Sequence, residues 1–494
     1  MLNSNIQELI VSKTQLQIDT VMAQYDIWGS LAHACMLQKC CIIDAAKAAK
    51  IISALLELEK LAINGALKFD PGKGTQLSLE ASVVELAGQE AGLSLHTARS
   101  RNDQVMTAET LYLREQVVLV AGEVKAVCAG FQALAARERQ TPFPGYTHMQ
   151  PAKPTRFSHW CMSYTDSLFS VGQALLQLLN RFDRSPLGAV ESYGTSWPID
   201  RSYSAKLLGF EEVWEMPLDA ISQRGFLQLN FANLLQELTL LTGKIASDLM
   251  LYTTFEYGLV TLGDNVAQRL HPITGSSVMA QKRNPDALEL IRGTGAQVSA
   301  CTFAIAGVLQ KLPSGYNRDS REVKEFIYIA IEKTLAALSS LKTVAASLEV
   351  NAARALEIVN SNFSITTDLA DFLAQRFKIP YRQMYKVVGS AVDKAIQNNA
   401  DMQYAISILP QEAQALGVKL EAGQAELKQA INIESALERR THIGGTCLAE
   451  TDRLLQARNN RLKDFEAQIS KWSGRFEEAY KLTKSTAMGI VAGN

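Results

Sequence analysis

Residues 275–285 read Gly-Ser-Ser-Val-Met-Ala-Gln-Lys-Arg-Asn-Pro, the densest supply of chemistry in this chain. Ser276 and Ser277 bring hydroxyls and free backbone amides, Lys282 and Asn284 follow at alternate positions, and Pro285 stiffens the exit. Such a loop suits holding a carboxylate, or stabilising negative charge that develops during a reaction. Three further segments carry similar potential. His96-Thr97-Ala98-Arg99-Ser100-Arg101-Asn102-Asp103-Gln104 sets donors and two arginines ahead of a helix, an arrangement suited to anions. Gly145-Tyr146-Thr147-His148-Met149-Gln150-Pro151 puts a hydroxyl beside an imidazole, the commonest general acid or base near neutral pH. Tyr316-Asn317-Arg318-Asp319, with Arg321 and Lys324, adds cationic donors. Taken singly, these read equally well as a polar surface loop, a helix cap, a structural histidine and a solvated helix start.

Loops of this kind need rigid elements to hold them. The 13 prolines leave the stretches 72–141, 218–271 and 314–379 uninterrupted. Proline costs about 3 kcal/mol in a helix interior, so long gaps with apolar periodicity point to long helices. Leu227, Phe231, Leu234, Leu235, Leu238, Leu241, Ile245 and Leu249 recur every three or four residues, one buried helical stripe. Residues 157–182 and 326–359 behave similarly, and alternating strand-like runs are scarce. The pattern predicts an all-α protein with a central bundle of unusually long helices. It divides into an N-terminal helical domain (1–95), the bundle with its loop 275–285 (96–350), a smaller C-terminal helical domain (351–470) and a tail (471–494).

Bulk properties exclude several classes. The chain has 494 residues, 47% hydrophobic and 20% charged, with a formal net charge of −1. That balance offers no basic surface for nucleic acid or a membrane. Met1-Leu2-Asn3-Ser4-Asn5 lacks the pattern of a signal peptide, and the apolar runs carry too many polar residues for a membrane span. Seven scattered cysteines suggest free thiols in a reducing, cytoplasmic compartment, with the vicinal pair Cys40-Cys41 expected to be buried. Six histidines without ligand spacing suggest no metal, and nothing suggests a cofactor.

The four segments, in this order and at these separations, resemble the fumarase/aspartase superfamily and, within it, the argininosuccinate lyase family. The most specific pieces are Arg99-Ser-Arg-Asn-Asp-Gln104, Gly145-Tyr-Thr-His148 and the loop 275–285; Asp286–Arg292, Leu312–Asn317 and Gly444–Thr446 extend the match. The resemblance implies β-elimination of an amine from an N-substituted aspartate with release of fumarate, as in the cleavage of argininosuccinate to arginine and fumarate. It implies that Ser276 is the base that removes the Cβ proton, with Lys282 and the loop amides stabilising its alkoxide and the aci-carboxylate intermediate. His148 would act as acid, oriented by Glu289. Ser100, Asn102, Thr147, Lys282 and Asn284 would grip the carboxylates, and Tyr316 would lie near the leaving amine. Arg101, Arg321 and Lys324 complete the substrate-binding candidates. The family also implies a homotetramer whose active sites are shared between subunits, and a small-molecule substrate.

Departures from the family cluster on the amine side. Ala280 replaces a loop proline, Gln76 a histidine, and Met216-Pro217 an Asn-Ser pair. Ser222-Gln223-Arg224-Gly225 loses both acids of a Ser-Asp-Arg-Asp motif, and Arg321 replaces a glutamine near the substrate's guanidinium. A cation there opposes a guanidinium and favours a carboxylate-bearing amine. Argininosuccinate and another N-substituted aspartate, from secondary metabolism or aminopolycarboxylate breakdown, therefore both stay open, as does a non-catalytic crystallin-like relative. Lys471-Trp-Ser-Gly-Arg-Phe476 resembles the Lys-Leu-Trp-Gly-Gly-Arg-Phe-like segment with which the family begins. Coincidence and relocation of that segment both remain open.

Overall fold

The computed structural model describes residues 4–493; Met1-Leu2-Asn3 of the segment read for a leader, and Asn494 of the tail, lie outside the described residues. Five helices form the centre: Arg101–Arg137, Phe157–Phe182, Phe226–Tyr252, Asp286–Leu309 and Val323–Ser347. At 1.5 Å per residue the first is about 55 Å long and the others about 36–40 Å. Among the described residues the strands form only three two-stranded pairs, so the architecture is all-α.

The apolar stripe read from the sequence is the inner face of Phe226–Tyr252. Leu227, Phe231, Leu235, Leu238, Ile245 and Leu249 are buried, and Leu234 and Leu241 half-buried. The run 326–359 is not one helix. Val323–Ser347 stops, Glu349–Val350 pairs antiparallel with Val260–Thr261, and Ala352–Ser361 starts anew. Asn351 sets that break, because its side chain accepts from the Arg354 amide as an N-cap. Apolar periodicity runs through the interruption and hides it.

Arg101–Arg137 is long and apolar enough to cross a membrane, contrary to the reading that no stretch qualifies. Its sides are taken up by Phe157–Phe182, Val323–Ser347, Lys13–Lys39 and Leu448–Val491, and it carries Glu109 and Arg114 into the interior.

Divided by apolar core, the chain falls into two parts. One continuous cluster runs from Ile18 to Ala355 and includes residues from Leu455 to Ala487. The helices Lys13–Lys39 and Ala45–Ile63 share that core and have no separate one. A second cluster spans Val359 to Leu437. The 44-residue helix Leu448–Val491 then crosses residue 470 without a break and returns to the bundle. The Lys471–Phe476 motif fastens it there. Arg475 donates twice to the Asp183 carboxylate, both at 2.8 Å, and Phe476 lies 4.6 Å from the Arg114 guanidinium. Cys40 is half-buried and Cys41 exposed, not buried as expected. They sit where Lys13–Lys39 ends, and Cys41 turns the chain with φ +56°.

Candidate active site

The loop around Ser276 is pinched at its base by a β-bridge between Gly275 and Arg283. Arg283 clamps it to the preceding segment, donating to the carbonyls of Ala267 (2.7 Å) and Leu262 and to Asp264 (2.9 Å). Gly275 is required because a Cβ there would lie 2.6 Å from the His271 carbonyl oxygen. At the exposed tip, Ser276 Oγ accepts from the amides of Val278 (3.2 Å) and Met279 (2.9 Å). Two converging N–H groups favour an anionic oxygen over a neutral one. Lys282 is exposed nearby, and Ala280 stands at the tip where proline would restrain the chain. Pro285 precedes Asp286–Leu309, whose exposed first turn carries Glu289.

Ser100 is the N-cap of Arg101–Arg137. Its hydroxyl accepts from the Asn102 amide at 3.2 Å, and Asp103 accepts from the Ser100 amide at 3.0 Å. The other Asp103 oxygen accepts from Gly188 (2.9 Å) and Val190 (3.0 Å), pinning the 188–192 turn against the helix start. Burial raises the Asp103 carboxyl to about 6 even against these amides. Arg101 and Asn102 project beyond the cap.

Thr147 and His148 occupy the tip of an antiparallel hairpin, Pro142–Thr147 with Gln150–Arg156. His148 and Met149 take φ of +54° and +59°, the pair of left-handed residues that a tight two-residue turn demands. Asn-Gly would fit without strain; a histidine and a methionine cost of order 1 kcal/mol each, a cost typical of functional positions. The hairpin base is rigid: Phe143 packs 5.0 Å from Phe157 and 5.3 Å from Tyr252, and Arg156 binds Glu434 and Glu438 at 2.7 Å.

Arg101, Asn102, Tyr316, Arg321 and Lys324 line one cavity of about 170 Å³, with Asp19, Gln76, Arg224 and Arg318 also in its wall. Lys324 is buried and bonds Asp19 at 2.6 Å, with Glu109 at 3.5 Å; Arg224 bonds Glu109 at 3.1 Å. Burial pushes the Asp19 carboxyl up, but the Lys324 charge and the bonds from Lys324 and Thr75 outweigh it, leaving the group below the ordinary range. Arg224 also lies 5.4 Å from the Tyr316 ring. Arg321 donates to the Ile10 carbonyl, as does Arg318 at 3.5 Å.

One chain therefore brings the helix start and the Tyr316–Lys324 segment together. Thr147, His148, Ser276, Lys282, Asn284 and Glu289 do not line that cavity. Sequence reasoning missed Asp19 and Glu109, the counter-ions that fix Lys324 and Arg224. Glu109 left a signal, a carboxylate within the apolar run of a long helix; Asp19 left none. Three of the departures have visible local surroundings. Gln223 donates to Asp219 at 3.1 Å, and Gln76 to Asp26 at 3.4 Å. Gly225 has φ +93°, and a Cβ there would collide with the Leu309 side chain, so the family's acid does not fit.

Comparison with known proteins bears on this arrangement. A family described as Lyase matches residues 10–300, and one described as Argininosuccinate lyase C-terminal matches residues 363–438. An argininosuccinate lyase of Listeria monocytogenes is 36% identical over 433 residues, covering 87% of this chain and 91% of that protein. One from Geobacillus thermodenitrificans is 34% identical, covering 90% and 94%. Among solved structures, EDDS lyase in complex with formate superposes with a TM-score of 0.85 at 23% identity, covering 98% of this chain and 96% of that one. The 3-carboxy-cis,cis-muconate lactonizing enzyme of Pseudomonas putida does so at 0.69 and 17%, covering 94% and 100%. Those two likenesses establish the shared fold. Identity above 30% across nearly nine-tenths of the length goes further: the chain belongs to the argininosuccinate lyase family of the fumarase/aspartase superfamily and is a carbon–nitrogen lyase.

Proposed function

We propose that the protein eliminates an amine from an N-substituted aspartate, cleaving argininosuccinate to arginine and fumarate within arginine biosynthesis in the cytoplasm. The observation that carries this reading is Ser276 Oγ, held by two amides of a loop that also presents Lys282 and Asn284. The Ser276 alkoxide takes the Cβ proton, and the electron pair is held as an aci-carboxylate facing Lys282, Asn284 and the loop amides. It then collapses to the Cα=Cβ double bond while the C–N bond breaks. His148, oriented by Glu289, delivers a proton to the departing nitrogen. Ser100, Arg101, Asn102 and Thr147 hold the carboxylates, and Tyr316 lies beside the amine. The elimination involves no net redox change.

The three groups of residues stand on separate elements of one chain, which supports a site completed by neighbouring subunits. Asp286–Leu309 presents an outward face of Gly293, Ala296, Ala300, Phe303 and Gly307, with Phe303 80% exposed. A face of small residues around one aromatic suits close helix packing in a homotetramer. Fumarate release from argininosuccinate, followed by ultraviolet absorbance, tests the reaction. Refolding Ser276→Ala and Arg101→Ala chains together tests the assembly. Mixed tetramers regain activity if the two residues serve one site from different chains; no recovery in a mixture that light scattering shows to be tetrameric would refute sharing.

A further inference from the structure

A second cavity, of about 550 Å³ against about 170 Å³ at the candidate active site, shares no residue with it. It lies between the helices Lys13–Lys39, Ala45–Ile63, Arg101–Arg137 and Leu448–Val491. The last of these contributes Ser473, Phe476, Glu477 and Tyr480, so the Lys471–Phe476 motif builds part of the wall. Asp286–Leu309, whose outward face suits packing between copies, lies against Phe226–Tyr252 and Val323–Ser347 and takes no part in the wall.

Four aromatic rings, those of Tyr25, Trp28, Phe476 and Tyr480, enclose the space. Contacts within the chain fix their positions. Trp28 donates its indole N–H to Thr483 at 3.0 Å and meets the Tyr480 ring edge-on at 5.4 Å. Tyr480 donates to Glu59 at 2.6 Å, and Tyr25 to Glu115 at 2.7 Å. The charge is one-sided. Glu59, Glu115 and Glu477 stand in the wall and, among the described residues, no lysine, arginine or histidine does. From outside the wall Lys484 matches Glu59, and Lys481 matches Glu477 at 2.6 Å. Glu115 has no ion pair among the described residues, because its neighbour Arg114 turns to the carbonyls of Leu208 (2.8 Å) and Gly209 (3.1 Å). Burial pushes the Glu115 carboxyl above the ordinary range, and neither the bond from Tyr25 nor the charge of Arg114 brings it back.

An apolar cavity of this size takes a whole small molecule, and the few polar groups in it decide which. Aromatic faces attract a cation, and a half-buried carboxylate without a counter-ion is costly until one arrives. An anion would meet three carboxylates, and a neutral apolar molecule would leave Glu115 uncompensated. Two of the three acids are already matched, so the cavity has room for one positive charge. We propose that it binds an organic monocation, an ammonium or guanidinium on an apolar body, with Glu115 as the counter-ion and the four rings around the body. The site stands apart from the catalytic one and does not depend on which reaction occurs there.

The test uses three probes that share an indole body, measured by calorimetry on the full-length protein: tryptamine, neutral 3-ethylindole and anionic indole-3-propionate. Wild type should bind tryptamine about 10- to 150-fold more tightly than 3-ethylindole, the span expected for a charge-assisted hydrogen bond, and indole-3-propionate more weakly than either. Glu115→Gln keeps an acceptor for Tyr25 but not the charge. It should remove most of the preference while leaving 3-ethylindole affinity within about twofold. Leu119→Trp, at an exposed position of the wall, should weaken both ligands by filling the space, with circular dichroism showing an intact fold. Arg101→Ala, in the other cavity, should leave tryptamine affinity within about twofold. Equal affinity for tryptamine and 3-ethylindole, an undiminished preference in Glu115→Gln, or a loss in Arg101→Ala would overturn the site. Absence of tryptamine binding at millimolar concentration would do the same, and a change of assembly in Leu119→Trp by light scattering would then assign the cavity to a contact between copies.

Discussion

Lys282→Met separates the two stabilisers that the proposed mechanism gives the Ser276 alkoxide. The amides of Val278 and Met279 already touch Oγ at 3.2 and 2.9 Å. A hydrogen bond to a neutral oxygen contributes about 1 kcal/mol and one to a charged oxygen about 2, so the pair favours the alkoxide by about 2 kcal/mol, or about 30-fold. That is far too little to make a serine a useful base near neutral pH. An ammonium about 4 Å from the oxygen adds about 4 kcal/mol at an effective dielectric of 20, or about 10³-fold. Lys282 is exposed in the isolated chain, so under the proposed mechanism this contribution requires the loop to close over substrate. Lys282→Met should therefore lower kcat by about 10³-fold. Fumarate release at saturating argininosuccinate measures it, with circular dichroism to show an intact fold. The deficit should narrow as pH rises past the wild-type plateau, because hydroxide then does what the ammonium did. Ser276→Ala should lose activity at every pH. A folded Lys282→Met protein with kcat within tenfold of wild type would show that the amides suffice, and the electrostatic reasoning would be wrong.

Other expectations concern the frame. Asp19→Asn strips Lys324 of its closest counter-ion in a buried site and should destabilise by about 3 kcal/mol; an unchanged Tm would contradict the buried network. Gly225→Asp, which restores the family's acid, should destabilise by about 1–3 kcal/mol, because it sets a Cβ against Leu309 at φ +93°. His33 is fully buried, donates Nε2–H to the Thr97 carbonyl at 2.9 Å, and is lowered to about 3 by burial and by Arg99. The unfolded imidazole protonates near 6.5 while the folded one stays neutral, so its contribution is complete above 6.5 and lost as pH falls towards 3. Between pH 6.5 and 5 this loss is about 2 kcal/mol, and denaturant melts of His33→Gln should show a shallower decline over that range.

The sequence by itself determined the helices and the chemistry. Proline gaps and a three-to-four spacing were enough to place Phe157–Phe182 and Phe226–Tyr252, because a buried stripe is a local property of a helix. The Ser276 loop was legible because turn residues and chemical groups are recorded in the local order of the chain. Long-range relations were not. The likeness of Lys471–Phe476 to an N-terminal segment hinted at a relocation, but the local pattern did not reveal where Leu448–Val491 docks, since its contacts with Asp183 and Arg114 join positions about 290 and 360 residues apart. The break at Asn351 hid inside an unbroken apolar rhythm. On the amine side, sequence could flag Arg321 as an added cation but not which neighbouring cations would be neutralised. Only the tertiary structure set Lys324 against Asp19, closed Arg224 onto Glu109, and left Arg318 and Arg321 facing one carbonyl. Electrostatic balance is a sum over neighbours in space, and a sequence does not say which charges will be neighbours.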